Sequence, residues 1–98
     1  MNFKLKFTSK AVEHFEKLKN DPSKNVILKA ALKTLAYMET NLRHPSLRTH
    51  EYYSLKGPKN EKIYESYVQQ NTPGAYRIFW YYGPETNTIS ILAILPHP

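Results

Sequence analysis

Three positions in this sequence carry side chains suited to anion binding or proton transfer. Arg77 is fixed inside Gly74-Ala75-Tyr76-Arg77-Ile78-Phe79-Trp80-Tyr81-Tyr82, the longest uninterrupted run of strand-forming residues. A guanidinium matches a phosphate bidentately, so one reading makes Arg77 an anion-facing cation on a rigid platform. The plainer reading is a solvated strand arginine, or one paired to a carboxylate. His97 follows the apolar run Ile94-Leu95 and is flanked by Pro96 and Pro98. It is either a frayed terminal residue or a proton carrier held at the end of a central strand. His50 belongs to a strip. If the chain is extended from Arg48 onward, then Arg48, His50, Tyr52, Ser54 and Lys56 share one face, while Tyr53 and Leu55 point to the other. The plain alternative is an exposed sheet face with ordinary polar residues.

Joined across a sheet with Arg77, Phe79 and Tyr81, that strip interleaves cations with aromatic rings. Cations meet phosphates and rings stack on unpaired bases, which is what recognition of single-stranded RNA requires. The competing account is that the eight tyrosines largely fill a small core with their hydroxyls at its rim. Other chemistries find less support. His14, His44, His50 and His97 show no paired ligand spacing and there is no cysteine, so no metal site is expected. No phosphate-binding glycine loop, dinucleotide fingerprint or Gly-x-Ser-x-Gly elbow occurs. With three glycines in all, no nucleotide or other small-molecule cofactor is expected.

The elements that must position these residues follow from periodicity. Phe3, Leu5 and Phe7 alternate with Asn2, Lys4 and Lys6, predicting a half-buried strand with the apolar residues inward. Thr8 or Ser9 caps a helix over Ser9 to Lys19, with Val12 (or Ala11), Phe15 and Leu18 at helical spacing up to the Asn20-Asp21-Pro22 break. Ser23 caps a second helix whose stripe is Leu28, Ala31, Leu35, Met38 and Leu42. Glu39 and Arg43 sit four apart on it, and His44-Pro45 ends it. Strands are then expected at Thr49 to Lys56, Lys62 to Val68, Gly74 to Tyr82 and Thr88 to Leu95. Turn signals at 57–60, 71–74 and 83–87 separate them. The last strand, apolar on both faces toward its end, reads as central. The fold class is α+β: an N-terminal strand, an α-helical hairpin, then an antiparallel sheet in meander style, with helices on one face and the other left partly open.

Ninety-eight residues form one domain, 1–98, with a single modest core. A hydrophobic share of 41% and a charged share of 22% argue for a folded chain. The first seven residues form no continuous apolar segment, and no run approaches the roughly 18 residues of a membrane span. A soluble, unexported, cytoplasmic protein is the expectation. Fourteen Lys and Arg against eight Asp and Glu give a net charge of +6, which attracts nucleic acid or an acidic protein. Membrane is disfavoured because the basic residues are scattered instead of lining one helix face.

The order Asn41-Leu42-Arg43-His44-Pro45, Leu55-Lys56-Gly57, Tyr76-Arg77-Ile78 and an apolar strand ending in His97 resembles the RelE/ParE superfamily of type II toxin-antitoxin toxins, with the RelE/HigB-like branch favoured. The likeness spans nearly the whole chain. It implies the RelE-like microbial RNase toxin fold and a small basic toxin neutralised by a cognate antitoxin. In the RelE-like branch such a toxin is a metal-independent mRNA endoribonuclease, typically acting on the ribosome. In the ParE-like branch it inhibits DNA gyrase without catalysis. A third possibility is a degenerate member that only binds its partner.

Position by position, the resemblance makes Arg77 the phosphate-stabilising arginine of the Tyr-Arg-Ile strand and His97 the acid that protonates the leaving oxygen. For the base, His50 or Glu51 is nearest to the matching position. His50 is preferred for its parity with Arg48 and Lys56, and Glu65 comes last. Arg48, Lys56 and Tyr81 are the expected RNA contacts. The chain departs from many ribosome-dependent members in ending His97-Pro98 without a tyrosine, and in having Ser66-Tyr67-Val68 where they carry a further basic residue.

Overall fold

The apolar alternation at the start of the chain becomes β1 (Lys4–Phe7), a short edge strand. Phe3 and Leu5 pack inward as expected, whereas Phe7 stays 37% exposed beside Phe15. The computed structural model describes residues 2–97; Met1 and Pro98, the second proline flanking His97, lie outside the described residues. Helix α1 (Ser9–Lys19) has the bounds its periodicity predicts. Thr8 caps it, accepting from the Ala11 N–H, while the same hydroxyl donates to the Leu92 carbonyl and ties the helix start to the sheet. Of the two alternative stripes, the one with Ala11 is correct: Ala11 is fully buried and Val12 is 46% exposed.

The second helix differs at both ends. Ser23 does not cap it: Asp21 caps one 3-10 turn (Pro22–Lys24) by accepting from the Ser23 N–H, and the helix begins after Lys24 with no side-chain cap. Helix α2 (Asn25–Thr40) follows and stops four residues short of His44. The residue before a proline is driven to extended geometry, as His44 is at φ −56° and ψ 127°. The chain therefore leaves the helix at Asn41 and makes a turn closed by His44 N–H to the Asn41 carbonyl. Leu42 and Arg43 consequently lie past the helix end, and Glu39 has no helical partner at Arg43. Ala31, Leu35 and Met38 form the buried stripe.

After a second 3-10 turn (Pro45–Leu47) the four remaining strands are β2 (His50–Lys56), β3 (Lys62–Tyr67), β4 (Tyr76–Tyr82) and β5 (Thr88–Pro96). They pair antiparallel in sequence order, and β1 adds to β5 in parallel, giving the order β1-β5-β4-β3-β2. The alternation predicted for β4 holds. Ile78 and Trp80 enter the core under the two helices with Ala11, Leu18, Met38, Ile89 and Ile91. Phe79 and Tyr81 face the opposite side with Ile63, Tyr52, Leu92 and Ala93. The β4–β5 register slips by one between Phe79↔Ala93 and Trp80↔Ile91, leaving Leu92 as an extra residue. This bulge lets Leu92 and Ala93 both serve the open face, the physical form of the two-sided apolarity read in that strand.

Candidate functional site

The open face of the sheet gathers three of the chemistry-bearing residues around one carboxylate. Glu65 on β3 stands opposite His50 on β2 in the ladder, and its side chain is only 2% exposed. Its Oε1 lies 2.7 Å from His50 Nε2, and its Oε2 lies 2.8 Å from His97 Nδ1 and 3.9 Å from Arg77 Nε. The two imidazoles are about half exposed, 48% and 47%, so they form the accessible surface over a sealed carboxylate. A buried carboxylate is costly unless opposite charge and hydrogen bonds meet it, and here three cation-capable groups do.

Each partner is held from its own side. His97 extends β5 by one step, its backbone N–H donating to the Ala75 carbonyl at 2.8 Å, so it is pinned and not frayed. His50 Nδ1 lies 2.9 Å from the Arg48 carbonyl. A carbonyl only accepts, so Nδ1 carries a proton. Its Nε2 faces the Glu65 carboxylate, so both ring nitrogens of His50 are engaged by acceptors. His97 has only Nδ1 engaged, which leaves Nε2 as its free nitrogen.

Arg77 is 8% exposed and donates from Nη1 to the Gln69 and Tyr76 carbonyls at 2.9 and 3.1 Å. Its Cζ sits 3.5 Å from the Tyr67 ring centroid. Its Nε is buried and makes no hydrogen bond. This arginine is therefore not solvated: it neighbours a carboxylate, as the plainer reading allows, and keeps a donor unspent beside the histidines. Tyr67, which the sequence marks only as standing near the place of a basic residue in related toxins, is the shared platform. Arg48 lies over the same ring at 5.0 Å, and the His50 ring meets it edge-on at 6.1 Å.

The remaining candidates scatter. Arg48 precedes the strand and adopts a left-handed backbone, φ 47°, so the continuous strip expected from parity does not form. The β2–β3 register shifts by three between Glu51 and Lys56, which also breaks the parity linking His50 to Lys56. Lys56 is exposed at the far end of β2 opposite Lys62, up to about 20 Å along the strand from His50 at 3.3 Å per residue. Tyr81 is buried with Ile63 and Phe79 and offers no open ring face. Glu51 pairs opposite Tyr64, which packs on the helix side. Among the described residues no group of three histidine or acidic side chains is placed to hold a metal ion.

A helical hairpin on one face of a β1-β5-β4-β3-β2 sheet is the fold of solved RelE- and YoeB-type toxins. The chain is similar to the YoeB dimer from Staphylococcus aureus, at 15% identity and a TM-score of 0.64 over 100% of both chains. It is similar to the archaeal RelE–RelB complex from Pyrococcus horikoshii OT3, at 16% identity and a TM-score of 0.65 over 98% of this chain and 96% of that one. It is also similar to a YoeB/ParE toxin from Agrobacterium tumefaciens, at 9% identity and a TM-score of 0.70 over 98% of this chain and 100% of that one. No family model matches the chain, and no curated protein matches its sequence.

Proposed function

We propose that this protein is the toxin of a type II toxin–antitoxin pair and an endoribonuclease acting on mRNA, with its cognate antitoxin as protein partner and the cytoplasm as its place of action. The observation that carries the reading is the Glu65 carboxylate bridging His50 and His97 beside Arg77. In the reaction the RNA 2′-oxygen forms a bond to the adjacent phosphorus and gives its proton to one imidazole. The bond from phosphorus to the 5′-oxygen breaks, and the other imidazole supplies that oxygen with a proton. The products are a 2′,3′-cyclic phosphate and a 5′-hydroxyl. Arg77 meets the negative charge that builds on the phosphate oxygens.

The hydrogen-bond pattern favours an assignment of roles opposite to the one implied by the resemblance. His97 donates Nδ1–H to Glu65 and keeps Nε2 free, the arrangement of a general base whose cation the carboxylate then stabilises. His50 has both ring nitrogens engaged by acceptors, and it acts as the proton donor by turning its Nδ1–H from the Arg48 carbonyl to the leaving oxygen. Glu65, sealed beneath both rings, is a positioning residue. Arg48 contacts the RNA backbone; Lys56, farther along β2, reaches only a longer strand.

The test is brief induction without antitoxin, with new RNA 5′ ends mapped beside a gyrase supercoiling assay. Cuts in translated messages that vanish with Arg77→Ala or His97→Ala support the nuclease. Intact messages with impaired supercoiling move the function to gyrase inhibition. Roles are separated on a substrate with an activated leaving group: it restores cutting by His50→Ala, which lacks the acid, and not by His97→Ala.

A further inference from the structure

A second concave surface lies beyond the α2 end, lined by Leu42, Arg43, His44, Arg48, Thr49 and Tyr82, with a volume of about 440 Å³. Arg43 and Arg48 are both exposed, and neither meets a carboxylate among the described residues; Arg48 Nη1 reaches only Gln70 Oε1, at 3.5 Å. The Arg48 guanidinium turns to Tyr67 and Gln70, outside the pocket lining, which leaves Arg43 as the exposed cation of the pocket, and an anion beside it is favoured.

His44 adds a directed donor. Its ring stacks on Tyr37 at 3.8 Å, and its Nδ1 accepts from the Ser46 N–H. The lone pair is therefore at Nδ1 and the neutral ring carries its proton on Nε2. Tyr82 supplies a flat surface, 48% exposed, its ring braced by Phe3, Tyr64 and Trp80. Burial raises the Tyr82 pKa and Tyr64 adds to the rise, while the charge of Arg43 opposes it.

We propose that this pocket is a second RNA subsite, in which Arg43 and His44 hold an internal phosphodiester and Tyr82 stacks on the adjoining unpaired base. The inference rests on the nuclease reading above. An acidic peptide would satisfy the guanidinium and gain nothing from an open ring face, whereas a splayed base gains stacking. Continuity with the cleavage cluster runs through Arg48. Its carbonyl holds His50 and its guanidinium lies over Tyr67, the ring that also carries Arg77. A strand cut at His97 is thus gripped again around the β2 edge.

The test uses a labelled hexanucleotide with 2′-O-methyl at every position, which lacks the attacking hydroxyl, titrated by anisotropy at several salt concentrations against a matching dinucleotide. Arg43→Gln should weaken hexamer binding roughly threefold to tenfold and lower the salt slope by about 0.7, the loss of one single-strand phosphate contact. Tyr82→Leu, which keeps apolar contact with Phe3 and Trp80, should weaken it about fivefold or more with the slope unchanged. Dinucleotide binding should stay as in wild type for both. Hexamer binding unaltered by either substitution overturns the subsite and leaves the nuclease reading intact. Wild type that fails to bind the hexamer overturns both. An Arg43→Gln loss equal for the hexamer and for polyglutamate, with no effect of Tyr82→Leu, makes the pocket a carboxylate site and also overturns the proposal. Should Tyr82→Leu fail to fold, Arg43→Gln and its salt slope decide alone.

Discussion

His50 and Glu65 are direct partners across the β2–β3 ladder, and their side chains meet at 2.7 Å on the open face of the sheet. Ladder partners on one face project side by side, so the contact is built into the strand pairing and does not depend on a loop. His97 reaches the same carboxylate from the end of β5, two strands farther on. A rigid sheet thereby fixes the separation of two proton-carrying rings.

Glu65→Gln preserves shape and removes the charge shared by the two rings. RNA cutting should fall by about a hundredfold or more, the scale of a lost acid–base contribution, while the far-ultraviolet circular dichroism stays that of wild type. Initial cleavage rates measured on one RNA substrate check this. Undiminished cutting would show that Glu65 only fills space.

Tyr67 separates a ring requirement from a hydroxyl requirement. Arg77 Cζ is 3.5 Å from its centroid, a contact worth about 0.5–2 kcal/mol. Tyr67→Phe should therefore cut RNA like wild type. Tyr67→Leu should lose about 1 kcal/mol of stability and most of its activity, as Arg77 loses the surface that aims it. Denaturant midpoints and cleavage rates on the same preparations decide the point.

Elements were legible in the sequence where one period dominates. The bounds of α1 and the two faces of β4 follow from spacing alone, and the cap of α1 is Thr8, one of the two candidates the spacing offers. The second helix was misread at its ends, because an aspartate two residues earlier competes with Ser23, and because proline acts on His44 four residues beyond the true stop. The site was half legible. Arg77, His50 and His97 are brought together, yet the residue that joins them was ranked last, since nothing local to Glu65 shows that it lies opposite His50 and beside a residue 32 positions on. Register across the long 68–75 connection is not encoded in either strand by itself. Tyr67 escaped for the same reason, and the Arg48 to Lys56 strip failed because a left-handed residue and a three-residue register shift defeat simple alternation.

The helix side of the sheet offers a test of stability independent of function. Trp80 Nε1 donates to Ser66 Oγ at 2.8 Å, and both residues are fully buried. Ser66→Ala leaves the indole N–H without a partner and also strips Thr49 of its 2.7 Å contact. The expected cost is about 1–3 kcal/mol, a fall in melting temperature of roughly 4–8 °C per kcal/mol for a domain of this size. Calorimetry of the two proteins measures it.

His14 gives the fold a pH dependence with a definite sign. Its Nδ1 accepts the Ile94 N–H at 3.1 Å, which a ring protonated on that nitrogen cannot do. Burial is the largest cause lowering its pKa below the ordinary 6.5; Lys10 and Lys17 add to the depression and Glu13 opposes it. The unfolded chain therefore takes up this proton at higher pH than the folded one does. By linkage the contribution is fully present above pH 6.5 and is lost as the pH falls through the lower folded value. In His14→Asn the amide oxygen takes over as acceptor and nothing titrates, so its urea midpoint should hold through that window while wild type declines. The difference between the two proteins, measured at successive pH values, isolates His14 from the histidines at Glu65. Parallel declines would show that the Ile94 bond survives protonation.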